Sequence, residues 1–116
     1  MANYTKQKLS GSTDGRAIKI TSTTAATTVH TSVSGTTDFD EVWLYATNSS
    51  TANVKLTVQF GGTTSPDDEI ESTITGEGGL TLVIPGLVLQ NGAVVRAFAA
   101  TANVINVSGY VNRIDN

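Results

Sequence analysis

The chain has 116 residues and a mass of 12.1 kDa; seven basic and ten acidic residues give a formal net charge of -3, and only 15% of residues are charged against 39% hydrophobic. It holds no cysteine and one histidine, which excludes disulfides, thiolate metal sites and thiol nucleophiles. The acidic balance argues against non-specific nucleic-acid binding, which depends on Lys and Arg neutralising phosphates. No apolar run approaches the ~18 residues of a membrane-spanning helix, and the N-terminus lacks the apolar stretch of a secretory signal. Hydroxyl replaces charge: Thr and Ser make up about a quarter of the chain. Thr and Val favour pleated, half-buried surfaces, while Gly, Asn, Asp and Ser supply turns.

Residues 1–15 have isolated apolar anchors, Tyr4 and Leu9, two lysines, Lys6 and Lys8, and no periodicity. They read as an extended N-terminal arm ending at the Asp14-Gly15 turn, or as a frayed terminus. From residue 16 to 116 the apolar residues recur with period two, at the spacing of roughly 8–12 residues typical of sandwiches and barrels. Arg16–Ser22 puts Ile18 and Ile20 on one face. Thr27–Val33 puts Val29, Thr31 and Val33 on one face and His30 on the other. Phe39–Thr47 is a strong strand. Ala52–Phe60 alternates most cleanly, with Val54, Leu56, Val58 and Phe60 inward and Lys55, Thr57 and Gln59 outward. Glu69–Thr75 alternates again. Leu80–Ile84 and Leu87–Gln90 flank Pro85-Gly86, a bend within one continuous edge. Asn91-Gly92 is the strongest two-residue hairpin signal, with Ala93–Ala100 as partner strand. Val104–Ile114 closes the chain. Eight or nine strands and no helix imply an all-β, antiparallel two-sheet sandwich, either a jelly roll or immunoglobulin-like.

Three segments break the one-apolar-face rule of such a sandwich. Val42-Trp43-Leu44-Tyr45-Ala46 is apolar at both parities, as is Leu80–Leu89, and in Ala93–Ala100 Arg96 alone is polar. Contiguous apolar patches beyond a few hundred Å² are rare on monomers. Either these second faces are buried against other subunits, or one sheet curls and loops cover it. Trp43, Tyr45, Val83, Leu87, Leu89, Arg96 and Phe98 are therefore the candidates for a subunit interface.

Chemistry-bearing residues are few. His30 stands without a nucleophile elbow, a HExxH helix or a second histidine. Asp38, Asp40 and Glu41, and likewise Asp67, Asp68 and Glu69, lack the spacing of a helix-loop-helix calcium site. No catalytic, cofactor-binding or metal residue is assigned, and an enzyme is not expected. Trp43, Tyr45 and Tyr110 together could form a sugar-stacking platform.

Leu9-Ser-Gly-Ser-Thr-Asp-Gly-Arg-Ala-Ile-Lys19 and Asp38-Phe-Asp-Glu-Val-Trp-Leu-Tyr-Ala46 resemble segments of small virion structural proteins of tailed bacteriophages, of the marine and cyanophage type. So do Phe60-Gly-Gly-Thr-Thr-Ser-Pro-Asp-Asp68 and Val94-Val-Arg-Ala-Phe-Ala-Ala-Thr-Ala-Asn103. The resemblance spans about residues 9–114. It implies a capsid decoration, or cement, protein: a β-sandwich on the outer surface of the virion, made in the host cytoplasm, bridging major capsid protein subunits as a homotrimer. Neither nucleic acid nor membrane is an expected partner. Under that reading Tyr4, Lys6, Lys8 and Leu9 of the arm would lie on the shell by strand addition, and deleting residues 1–12 would leave the sandwich folded. The alternative is a carbohydrate- or receptor-binding module of a head fibre or tail.

Overall fold

The computed structural model describes residues 3–116 and contains nine strands: β1 (Asn3–Lys8), β2 (Ile18–Lys19), β3 (Thr27–Thr31), β4 (Phe39–Asn48), β5 (Val54–Phe60), β6 (Glu69–Ile74), β7 (Thr81–Leu89), β8 (Val94–Ala99) and β9 (Ile105–Asp115). A front sheet runs β1-β9-β4-β7, with the short β2 following β1 along the same edge of β9. A back sheet runs β3-β8-β5-β6. All pairings are antiparallel.

The pairings nest. β5 pairs β6, β4 pairs β7, β3 pairs β8 and β2 pairs β9, so the chain is one long hairpin turned at residues 61–68. Rolling that hairpin up adds the β4–β9 and β5–β8 seams. This is the jelly-roll connection, and it decides between the two sandwich topologies open to the sequence.

The core fills the space between the sheets. Val42, Leu44 and Ala46 of β4, Leu56 and Val58 of β5, Ile84 of β7, Val95, Ala97 and Ala99 of β8, and Ile105, Val107 and Val111 of β9 are buried together. Their alternation is strict because successive side chains point to opposite faces of a strand. Gly109 lets β9 pass close to β4: with φ near 148°, a Cβ there would stand 2.0 Å from the Trp43 carbonyl oxygen.

Several expectations need correction. Among the described residues the N-terminal segment is not a separate arm. Residues 3–8 pair along β9 from Asn3↔Asp115 to Lys8↔Tyr110, Leu9 is 1% exposed in the core, and the Gly11 N–H donates to the Val29 carbonyl of the back sheet. The N-terminal segment is thus part of the sandwich; Met1 and Ala2 lie outside the described residues. His30 turns inward, because the register slips between Thr28 and His30 and leaves Val29 as a bulge, burying both side chains. A bulge shifts the parity of everything after it. Thr57, expected outside, is buried between its neighbours Phe98 and Glu71. Asn91 and Gly92 adopt the positive φ of the predicted turn, 62° and 69°, but the strands on either side belong to different sheets. Their N–H groups donate to Gly35 and Val33 carbonyls instead, making the turn a crossover between sheets.

Candidate functional site

The outer face of the front sheet collects five of the chain's seven aromatic side chains. The register places Tyr4 of β1, Tyr110 of β9, and Phe39, Trp43 and Tyr45 of β4 on that face, which gathers all three tyrosines and the one tryptophan. Tyrosine and tryptophan combine a large apolar body with a polar tip, and so are enriched where proteins recognise partners.

At the centre, Trp43 and Tyr110 lie nearly parallel, 14° apart with centroids 6.2 Å apart. The Lys6 ammonium sits 4.7 Å from the Tyr110 ring centroid. On the far side, Gly86 of β7 lies close against the indole. Since the strand order is β1-β9-β4-β7, the row Lys6, Tyr110, Trp43, Gly86 crosses the whole sheet. The Trp43 Nε1–H donates to Glu41 Oε1 at 2.8 Å, and Asn112 Nδ2–H donates to the same oxygen at 3.0 Å. Those two bonds, Asn112 first, hold the Glu41 carboxyl below its usual pKa, so it is ionised and accepts only.

The edge of this face is apolar. Leu80, just before β7, and Leu82, Leu87 and Val88 within it are between 43% and 63% exposed. Tyr4, on the opposite edge strand, is 75% exposed. β7 is apolar at both parities because it is bulged twice against β4. One extra residue stands between the partners of Leu44 and Tyr45, and another between those of Val42 and Trp43. Each bulge exchanges inward and outward positions.

The seven interface candidates do not form one surface. Trp43 and Tyr45 share the front outer face. Val83 and Leu89 pack against the core, and Leu87 is exposed at the β7 edge. Arg96 and Phe98 are on β8, on the outside of the opposite sheet beside Gln59 and Thr57. Of the arm candidates, Tyr4, Lys6 and Lys8 lie on the front outer face, whereas Leu9 is buried and presents nothing to a partner. Lys8 turns back toward the Ser12 carbonyl at 3.4 Å. Leu80, Leu82 and Val88 were not singled out by sequence reasoning, although the doubly apolar run from Leu80 was the signal that contains them.

A second cluster lies buried at one end of the sandwich. The Asp40 carboxylate is fully buried and accepts from Arg113 Nε and Nη2 at 2.8 and 3.0 Å, from His30 Nε2 at 2.8 Å and from the Val33 N–H at 3.2 Å. Burial pushes its pKa up, but the bonds and charges of Arg113 and His30 outweigh this and hold it below the ordinary carboxylate value. His30 Nδ1 accepts the Ser10 N–H at 3.0 Å, so the proton it carries is on Nε2. Both Asp40 oxygens and both His30 ring nitrogens are engaged within the fold. Asp40 points in while Glu41 points out, so that acidic trio does not converge on one point.

Comparison with family models, with curated proteins and with solved structures gives no match. No helix long and apolar enough to cross a membrane is present among the described residues.

Proposed function

We propose that the chain is a structural protein of a tailed-phage virion that decorates the capsid, docking on major capsid protein and on its own copies as a homotrimer. The observation that carries this reading is the exposed apolar margin beside Trp43 and Tyr45: Leu82 and Val88 stand opposite Tyr45 and Glu41 on the outer face, with Leu80 and Leu87 exposed along the same edge. No part of the described chain covers it, and such margins on small proteins are docking surfaces. The resemblance of residues 9–114 to virion structural proteins supplies the partner. A jelly roll is compatible with this but also with lectin-like roles, and fold alone assigns neither.

Sugar stacking fits the geometry less well. A pyranose needs an open ring face, and the Lys6 ammonium lies over one face of Tyr110.

The test is co-sedimentation with DNA-filled heads made without the chain. Binding that saturates, and that is weakened in folded Leu82→Asp and Val88→Asp variants, is the expected result. Absence of the chain from purified virions, or a folded chain that ignores heads yet binds a glycan array, would overturn the proposal in favour of the carbohydrate-binding alternative.

A further inference from the structure

The only histidine of the chain sits where the loop between β1 and β2 reaches the back sheet. Leu9 plugs the core, Ser10 gives its N–H to His30 Nδ1, the Ser10 hydroxyl accepts the Thr31 N–H at 2.7 Å, and the Gly11 N–H reaches Val29. This short run is what fastens β1 to the back sheet.

We propose that His30 is an acid-operated latch on the N-terminal strand, and that protonation at Nδ1 releases β1 from the sandwich. The neutral ring holds one proton, on Nε2, bonded to Asp40. A proton taken from solvent can go only to Nδ1, where it faces the Ser10 N–H: an acceptor becomes a donor, and two N–H groups then point at each other in a buried site. The Ser10 bond is lost and its N–H is orphaned, which favours withdrawal of residues 9–11 and of the strand they anchor.

The groups facing the ring set the direction of response. From β4, Asp40 is bonded to Nε2, and from β9, Arg113 is bonded to the same carboxylate. The 9–12 segment contributes no charge; Lys8 turns its ammonium toward the Ser12 carbonyl. On β8 the residue paired with His30 is Val95. Asp40 is ionised throughout the range tested, because its pKa is held below the ordinary carboxylate value.

The experiment is amide exchange on the full chain between about pH 8 and pH 5, the range in which histidine ordinarily changes charge, with rates corrected for intrinsic pH dependence. Protection of residues 3–11 is expected to fall about tenfold relative to β4 on acidification, the scale of one lost buried hydrogen bond. The fall should be reversible, and absent in His30→Gln, which keeps a donor and an acceptor but does not titrate. Equal loss in His30→Gln, or unchanged protection while the imidazole nitrogen shifts report full protonation, would overturn the latch. So would an imidazole that stays neutral across the range. If His30→Gln does not fold, the wild-type chain decides: coincident midpoints of imidazole titration and exchange support the latch, and midpoints separated by more than about one pH unit sink it.

Discussion

Gly86 lies so close against Trp43 that a Cβ built on it would stand 2.9 Å from the indole Cζ2. Its φ of 83° belongs to the left-handed region that side chains other than glycine avoid. One residue thus satisfies two demands: the backbone bulge that bends β7 and the clearance that lets the indole lie across it. Gly86→Ala is therefore expected to cost about 2 kcal/mol, from the strained φ and the displaced ring. Urea denaturation would read the loss and tryptophan fluorescence the altered stacking; an unchanged spectrum would show that the ring does not rest there.

Arg113 is the counter-ion of a carboxylate with no access to water. Arg113→Met should destabilise the fold by about 3 kcal/mol, because it leaves Asp40 buried and underpaired. The double variant Asp40→Leu, Arg113→Met should be more stable than Arg113→Met alone. A double variant that is no better would mean the guanidinium acts by packing and not by charge.

The same carboxylate makes stability depend on acid. Its folded pKa lies below the ordinary 3.8, so on acidification the unfolded chain takes up the proton first. The stability it contributes is complete above about pH 3.8 and drains away as pH falls through the lower folded value. The urea midpoint measured from pH 5 downward should fall more steeply in the natural chain than in Asp40→Asn. Parallel curves would place the acid sensitivity in other carboxylates.

Removing residues 1–12 strips β1 and withdraws Leu9 from the core, and so is expected to lower the thermal midpoint sharply. Leu9→Ala alone should cost about 2–4 kcal/mol, the usual range for a buried leucine cut to alanine. A truncated chain that melts with the full-length midpoint would restore the picture of an independent arm.

Leu82→Asp and Val88→Asp alter half-exposed side chains on the outer face of an edge strand, so folding stability should fall by no more than about 1 kcal/mol. If the proposed homotrimer forms through this margin, light scattering should nevertheless show these variants as single chains where the natural chain is trimeric. A natural chain that is monomeric at every concentration would rule out a homotrimer built on this margin.

The strand series was largely legible because its signal is local: a run such as Val54-Lys55-Leu56-Thr57-Val58 states its own period. What stayed hidden depends on residues distant in sequence. The inward turn of His30 follows from a one-residue slip against β8, and no pattern within Thr27–Thr31 announces it. The Asn91-Gly92 dipeptide fixes backbone dihedrals correctly but cannot say whether the next strand pairs beside the last or crosses to the other sheet. The N-terminal strand was missed because Asn3–Lys8 carries almost no apolar residues and is held by backbone bonds to β9. Trp43, Tyr45 and Tyr110 could be grouped in advance as aromatic, but not the row running from Lys6 to Gly86, which requires the order of four strands.

The nested pairing also sets an order for loop-closure entropy. The β5–β6 pair closes the short loop at 61–68, and each pair outward joins residues farther apart along the chain, up to Asn3 against Asp115. Closure becomes entropically dearer with separation, so a chain that zips from its central turn adds β1 last. Unzipping runs the other way, and the strand that is assembled last is the one whose departure leaves the pairs inside it intact.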